Sequence, residues 1–562
     1  MKIVVAALCL AAMPAWAGPV PAAPGRALRP TLDDGARQAP QAEAPSPEEL
    51  RRQVLEAEDA RAEGEALAPV FAALESRDNE TRRVAVRALG RLERGALAAA
   101  IAAAVSDPAP VVRAEAANAL AQAMAGGGGD VGFATEVLLA RLERETHPLV
   151  RGALAGALGR LPHPTAEAVR RAERAIVAIL VADPAASGET RRRRGAPVEA
   201  TRFASPLVLL GGLRGMEALA RLHGKQVPFE PATADVLRGL AVAWRSASAR
   251  AEGGPTLEAA ARLRRLALAA LTGGGAADLE TLRIAFGDPD DQVRRLAVMG
   301  VAALEPVDLA LLERALRDRS PLVRAEALLA SRRRGLDAAC GLASVSLHDP
   351  DPHVALAALD VAGASCQERA PVVAAVASIA GRLLPAAPGA SALPGEIDAV
   401  TGPPKTPAAG RSGTWHRPAH AIVALARLAP DQALERLPAF AGHRIWQVRA
   451  YAARAAAAAR AAGLLEKLAA DAHPNVRAAA IAGLREVRGH DADAHFVEAL
   501  AAADPQLVLT AARALEGSTS KDEVVPAALA ALDRLTAERR ETSRDPRMAL
   551  LARIGELADA AV

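Results

Sequence analysis

A short pattern recurs along this chain and limits its fold more than any other feature. A turn with Asp-Pro or His-Pro leads into Val-Arg, and small apolar residues then follow at helical spacing. The stretch "DPAPVVRAEAANALAQAM" at 107–124 shows it in full. Taking the Arg of each Val-Arg as a register mark gives Arg82, Arg113, Arg151, Arg294, Arg324, Arg449 and Arg477. Ala355, Val508 and, in a degenerate last copy, Ala549 stand at the same position. In the clean stretches the marks lie 28 to 38 residues apart. Arg151 and Arg294 are 143 residues apart; without the 18 residues Asp183–Ala200 that leaves 125, or four intervals. Ala355 and Arg449 are 94 apart; without the 30 residues Pro385–Thr414 that leaves 64, or two intervals. The chain therefore holds about 14 units, with loop insertions at about 184–200 and 385–414.

One unit explains why the array must be elongated. Offsets −1, +3, +7 and +10 from the mark are apolar, as in Val112, Ala116, Leu120 and Ala123, which is one face of a helix. The Asp-Pro turn ends the preceding segment and starts the new helix, with Asp read as its N-cap. A second apolar helical run precedes each turn, such as "GALAAAIAAAV" at 95–105. Two such helices cannot bury their apolar faces alone, so neighbours must stack. The expected fold is all-α, a right-handed α-solenoid of about 14 helical hairpins. The mark arginines Arg82, Arg113, Arg151, Arg294, Arg324, Arg449 and Arg477 are expected to reach acidic residues of their own or adjacent units as a ladder.

This pattern resembles HEAT repeats, in particular the short bacterial type also found in phycobilin lyases. The resemblance covers most of 66–562 and implies an armadillo-type superhelix whose surface binds partners. The stretches "WHRPAHAIVALARLAP", "WQVRAYAARAA" and "TSRDPRMALLARI" resemble the helical arm of bacterial proteins that join HEAT repeats to a cyclophilin-type peptidylprolyl isomerase. This sequence has neither the cyclophilin barrel nor its Arg, Phe and His site residues. The resemblance implies a client-holding arm whose catalytic domain lies elsewhere.

Composition agrees with close helix packing. Hydrophobic residues are 51% of the chain but aromatics only 2%, so alanine dominates the apolar content. The balance of 68 basic and 65 acidic residues argues against a nucleic-acid or membrane surface, and a bilin lyase is a lesser alternative. "MKIVVAALCLAAMPAWAGPV" reads as a signal peptide at 1–17, cleaved after Ala17, implying a periplasmic or extracellular protein. Residues 18–45 read as a Pro/Ala-rich linker, and the solenoid is expected over 46–562, opened by Ser46-Pro47 with Glu49.

No nucleotide loop, nucleophile elbow or zinc-protease motif occurs, so no catalytic residue, metal or cofactor is assigned. Gly126–Gly129 reads as a loop, and "RRRRGAP" at 191–197 as a solvated loop with an acidic partner as the alternative. His416 and His420 have i, i+4 spacing, but Pro418 is expected to spoil a shared helical face. His147, His443 and His473 read as turn or capping residues. Cys340 and Cys366, the two cysteines beyond the signal segment, are a candidate disulfide.

The leading functional expectation is an exported, non-enzymatic scaffold with a protein partner on its concave surface. Offsets +2, +5 and +9 point outward there, making Glu115, Asn118, Gln122, Tyr451 and Arg454 the binding candidates. Tyr451 is expected to be partly exposed, with Trp446 packed on the preceding unit. In the last helix Met548 and Ala552 should pack back onto the array. Some of Leu550, Leu551, Ile554 and Leu557 should be exposed, to be covered by a partner or by further chain such as a cyclophilin domain.

Overall fold

The structure, a computed structural model, describes residues 45–181, 203–245, 256–366, 369–383 and 415–559. The signal segment, nearly all of the linker, the Arg191–Arg194 run and the insertions expected at 184–200 and 385–414 lie outside the described residues. Helices alternate between two layers. Among the described residues, fourteen form a continuous inner row, each packed on the next, from Pro47–Asp59 through Pro110–Ala125 and Trp446–Ala458 to Arg544–Asp559. Thirteen outer helices lie between them in sequence. The only β-type pairing among the described residues is one isolated bridge, Val181 with Phe203. This is a HEAT-type helical solenoid.

Local chemistry explains the elements. Ser46 caps the first helix by accepting the Glu49 amide at 3.2 Å, with Pro47 as the first helical residue. The inner helices come close because their contact positions lack bulk. A Cβ added to Gly90 would lie 2.6 Å from Ala119 Cα, and one added to Gly159 would lie 1.9 Å from the Gly215 carbonyl oxygen. Gly363 meets Ala424 in the same way at 2.8 Å. In each pair a residue eight past one mark faces a small residue of the next inner helix.

The ladder has a consistent geometry. Arg82 Nε and NH2 donate to Asp107 at 2.7 and 2.9 Å, while NH1 donates to the Ser76 and Arg77 carbonyls. Asp107 also accepts the Ala109 amide, and its own carbonyl accepts from Arg113. Arg113 reaches Glu145, Arg294 reaches Asp318, Arg324 reaches Asp349 and Arg449 reaches Asp471, each by a two-pronged contact. Two expected members depart from this. Arg477 donates only to the Asp471 and Ala472 carbonyls, because Ala501 and Ala502 stand where the next carboxylate would be. Arg151 has no such partner among the described residues, and its buried Nε is unsatisfied; the matching position falls at the edge of an insertion. Arg264, not anticipated, is a member: it is almost fully buried and grips Asp288 at 2.8 and 2.9 Å.

The Asp of the Asp-Pro turn is the N-cap in two units, Asp351 before Pro352 and Asp504 before Pro505, but not in every unit. Asp107 is not an N-cap, since the helix begins at Pro110 after Ala109. The residue six before the mark accepts the previous unit's arginine, and the residue four before it caps the helix. Asp288 and Asp290 divide these tasks, with Asp290 accepting the Val293 amide. His147 and His473 stand at the cap position, and His473 accepts the Asn475 amide. His443 stands at the ladder position and accepts the Ile445 amide.

Gly126–Gly129 joins two helices, with Gly127 and Gly128 at positive φ. In the last helix the inward face is not the expected one. Met548 is 61% exposed and Ala552 is exposed, whereas Leu550 and Leu557 are buried. Leu551 is exposed and Ile554 half-buried. The helix enters through a turn at Glu541–Ser543 that buries Ser543, so Arg547 rather than Ala549 takes the mark position and the buried face rotates.

Candidate partner-binding surface

Packing tells which side of the stack is concave. Inner helices touch along their length, while successive outer helices barely touch. A row with the shorter spacing lies on the inside of a curve, so the exposed face of the inner layer is the concave surface. Offsets +2, +5 and +9 supply much of it.

Of the N-terminal candidates, two are engaged in holding units together. Glu115 is half-buried and accepts Arg83 NH1 at 3.0 Å; Asn118 accepts Arg160 NH2 at 2.9 Å. Gln122 is exposed.

The C-terminal candidates belong to a denser constellation spanning three consecutive inner helices, Pro352–Ser365, His416–Leu428 and Trp446–Ala458. His420 Nδ1 lies 2.9 Å from Asp360 Oδ1, and its Nε2 lies 2.7 Å from the Tyr451 hydroxyl. A carboxylate only accepts, so Nδ1 carries the proton it donates to Asp360. Tyr451 is half-buried, with Arg454 over its ring at 4.9 Å and Trp415 beside it at 6.1 Å. Trp415 stacks on His416 at 3.9 Å. Arg454 is exposed.

Two expectations change here. Pro418 does not separate His416 from His420, because it sits in the first helical turn, where no backbone donor is lost. Trp446 finds its ring partner in the following unit, stacking on His473 at 4.1 Å. Both residues stand at the starts of adjacent inner helices, which the ladder holds side by side. Tyr451, not Trp446, makes the aromatic contact to the preceding unit. Asp360 and the pairing role of His420 were missed; only their +5 and +2 offsets hinted at them.

Elsewhere, Cys340 on the outer helix Ala339–Ser346 and Cys366 at the end of Pro352–Ser365 are bonded, with Cα atoms 4.9 Å apart.

No family model matches this sequence, and no curated protein does. Among solved structures, Kap121p matches at 16% identity over 91% of this chain and 50% of its own, with a TM-score of 0.31. Yeast importin-beta (Kap95p) matches at 12% identity over 88% and 68%, with a TM-score of 0.49. The Kap95:Nup1 complex matches at 11% identity over 91% and 68%, with a TM-score of 0.47. The chain thus spans about half the length of Kap121p.

Proposed function

We propose that this protein is an exported, non-enzymatic scaffold that takes a protein partner on its concave inner face. The observation that carries this reading is the cluster around Tyr451. A chain poor in aromatics places Trp415, Tyr451 and an exposed Arg454 together on the inner face. Buried aromatic and arginine anchors dominate the energetics of protein interfaces. Export is supported by the form of residues 1–17 and by the Cys340–Cys366 bond, which suits an oxidising compartment.

The test is site-specific photo-crosslinking in intact cells. A photoreactive residue at Arg454 should capture a discrete partner, and one at the outward-facing, 74% exposed Val345 should not. Equal capture from both positions, or capture from Val345 alone, would overturn the inner-face assignment. Recovery of the protein with the cytosolic fraction would overturn export. Prolyl isomerase activity in the purified chain would overturn the non-enzymatic reading.

A further inference from the structure

The inner face carries a second feature, N-terminal to the aromatic cluster. Arg160, Arg214 and Arg262 lie on three consecutive inner helices, Pro148–Arg160, Pro206–His223 and Leu257–Gly273, and all three are exposed. The close approach of Gly159 to Gly215 sets Arg160 beside Arg214. Among the described residues no carboxylate lies in ion-pair range of any of the three. Arg160 donates to Asn118, a neutral amide. The nearby acids Glu217 and Glu115 are committed elsewhere, to Arg221 at 3.5 Å and to Arg83 at 3.0 Å, while the exposed Glu258, one turn before Arg262, lies outside ion-pair range of it.

Burial, followed by repulsion from Arg214, lowers the Arg160 pKa; burial and then Arg262 do the same to Arg214. Both nonetheless stay exposed on the inner face. Like charges lined up there are held without compensation from the protein itself.

We propose that this arginine row binds an extended polypeptide segment with a carboxylate at every third residue. Packed helices stand about 8–10 Å apart. A polyproline-type chain, with three residues per turn and a rise of about 3.1 Å, repeats its side-chain direction every 9 Å or so. Carboxylates at i, i+3 and i+6 therefore meet arginines on three successive helices, and each can accept a charge-assisted pair. The next two inner helices continue the face with exposed Met299 and Leu329, which suit polypeptide side chains and offer nothing to a phosphate backbone. The formal net charge of +3 is also small for a general polyanion binder.

This inference rests on the inner face being the binding surface, and its test fails separately from that reading. Fluorescence anisotropy with the full chain would use a labelled peptide of Glu-Pro-Pro repeats, its Gln-Pro-Pro counterpart, and a single-stranded oligonucleotide of equal charge. The Glu peptide should bind and the Gln peptide should not. Arg214→Gln should weaken binding about tenfold, the scale of one charge-assisted contact. Arg262→Gln provides a second, independent variant, and circular dichroism checks that both remain helical. Unchanged binding in both variants, or no binding of the Glu peptide, would overturn the row while leaving any crosslink at residue 454 standing. Oligonucleotide binding of equal strength and equal dependence on Arg214 would replace the polypeptide with a nucleic acid.

Discussion

Arg82, Arg113, Arg294, Arg324 and Arg449 each use the whole guanidinium. Two nitrogens hold the next unit's carboxylate and the third holds two carbonyls of its own turn, so a planar fork fits where lysine would not. Burial by itself would raise the Glu145 carboxyl, but hydrogen bonds from Arg113, the His147 amide and Arg141 outweigh it and bring the pKa to about 2. Relative to an ordinary 4.5, that shift stabilises the fold by about 3 kcal/mol. Because the folded value is the lower one, this contribution is complete above pH 4.5 and fades as pH falls toward 2. Hydrogen exchange around Glu145 should therefore accelerate across that window, and Glu145→Gln should flatten the response while weakening the site at neutral pH. Arg264→Met should be more severe, about 3–5 kcal/mol, because losing the Arg264 contact leaves the fully buried Asp288 with only the Asp290 amide and a distant Arg245 at 3.8 Å. Exchange should rise in the units joined by that contact and stay unchanged near Arg82, as expected of nearest-neighbour coupling. The arginines themselves could be read from the Val-Arg repeat. Arg264 escaped because "RLRRL" lacks the preceding valine. The two aspartate tasks were merged because Asp-Pro occurs at both the −6 and the −4 position.

At the scale of helices, the repeat pattern was legible because apolar spacing and turn residues agreed unit after unit. The rotation of the last helix was not, since the turn at Glu541–Ser543 shifts its register without altering the apolar pattern. The Asp360–His420–Tyr451 contact was hidden for a different reason: its members are 60 and 31 residues apart, and only the stacking of three helices brings them together. Gly159→Ala should destabilise the array by about 1–3 kcal/mol, since its new methyl meets the Gly215 backbone rather than a side chain that could yield. Gly341→Ala, where a Cβ meets nothing within 4 Å on an exposed helix position, should stabilise by about 0.5–1 kcal/mol. Thermal melts of the two variants beside the parent chain would check both signs. The unit that carries Ala355 in place of the ladder arginine is the one that carries the disulfide. Closing a loop with a sequence separation of 26, that bond should contribute about 3.5 kcal/mol by loop entropy. Cys340→Ser with Cys366→Ser should lose most of this, with the loss confined to neighbouring units in hydrogen exchange.

Across the described residues of the whole molecule the ladder is not continuous. It runs from Arg82 to Glu145, from Arg264 to Asp349, and from Arg449 to Asp471, with units between these runs that lack the link. A solenoid built this way is mechanically uneven. Pulled from its two ends, it should give first at the two joints where helix packing without the link holds described neighbours: Pro148–Arg160 on Pro206–His223, and Pro352–Ser365 on His416–Leu428. The covalent bond between Cys340 and Cys366 closes the hairpin just before the second joint, so the segment it spans cannot be drawn out. In an optical trap the chain should lengthen in separate steps, and adding a reductant should make the step from the second joint longer. A partner lying along the inner face would bridge these joints, so its departure under load should leave a more compliant protein behind.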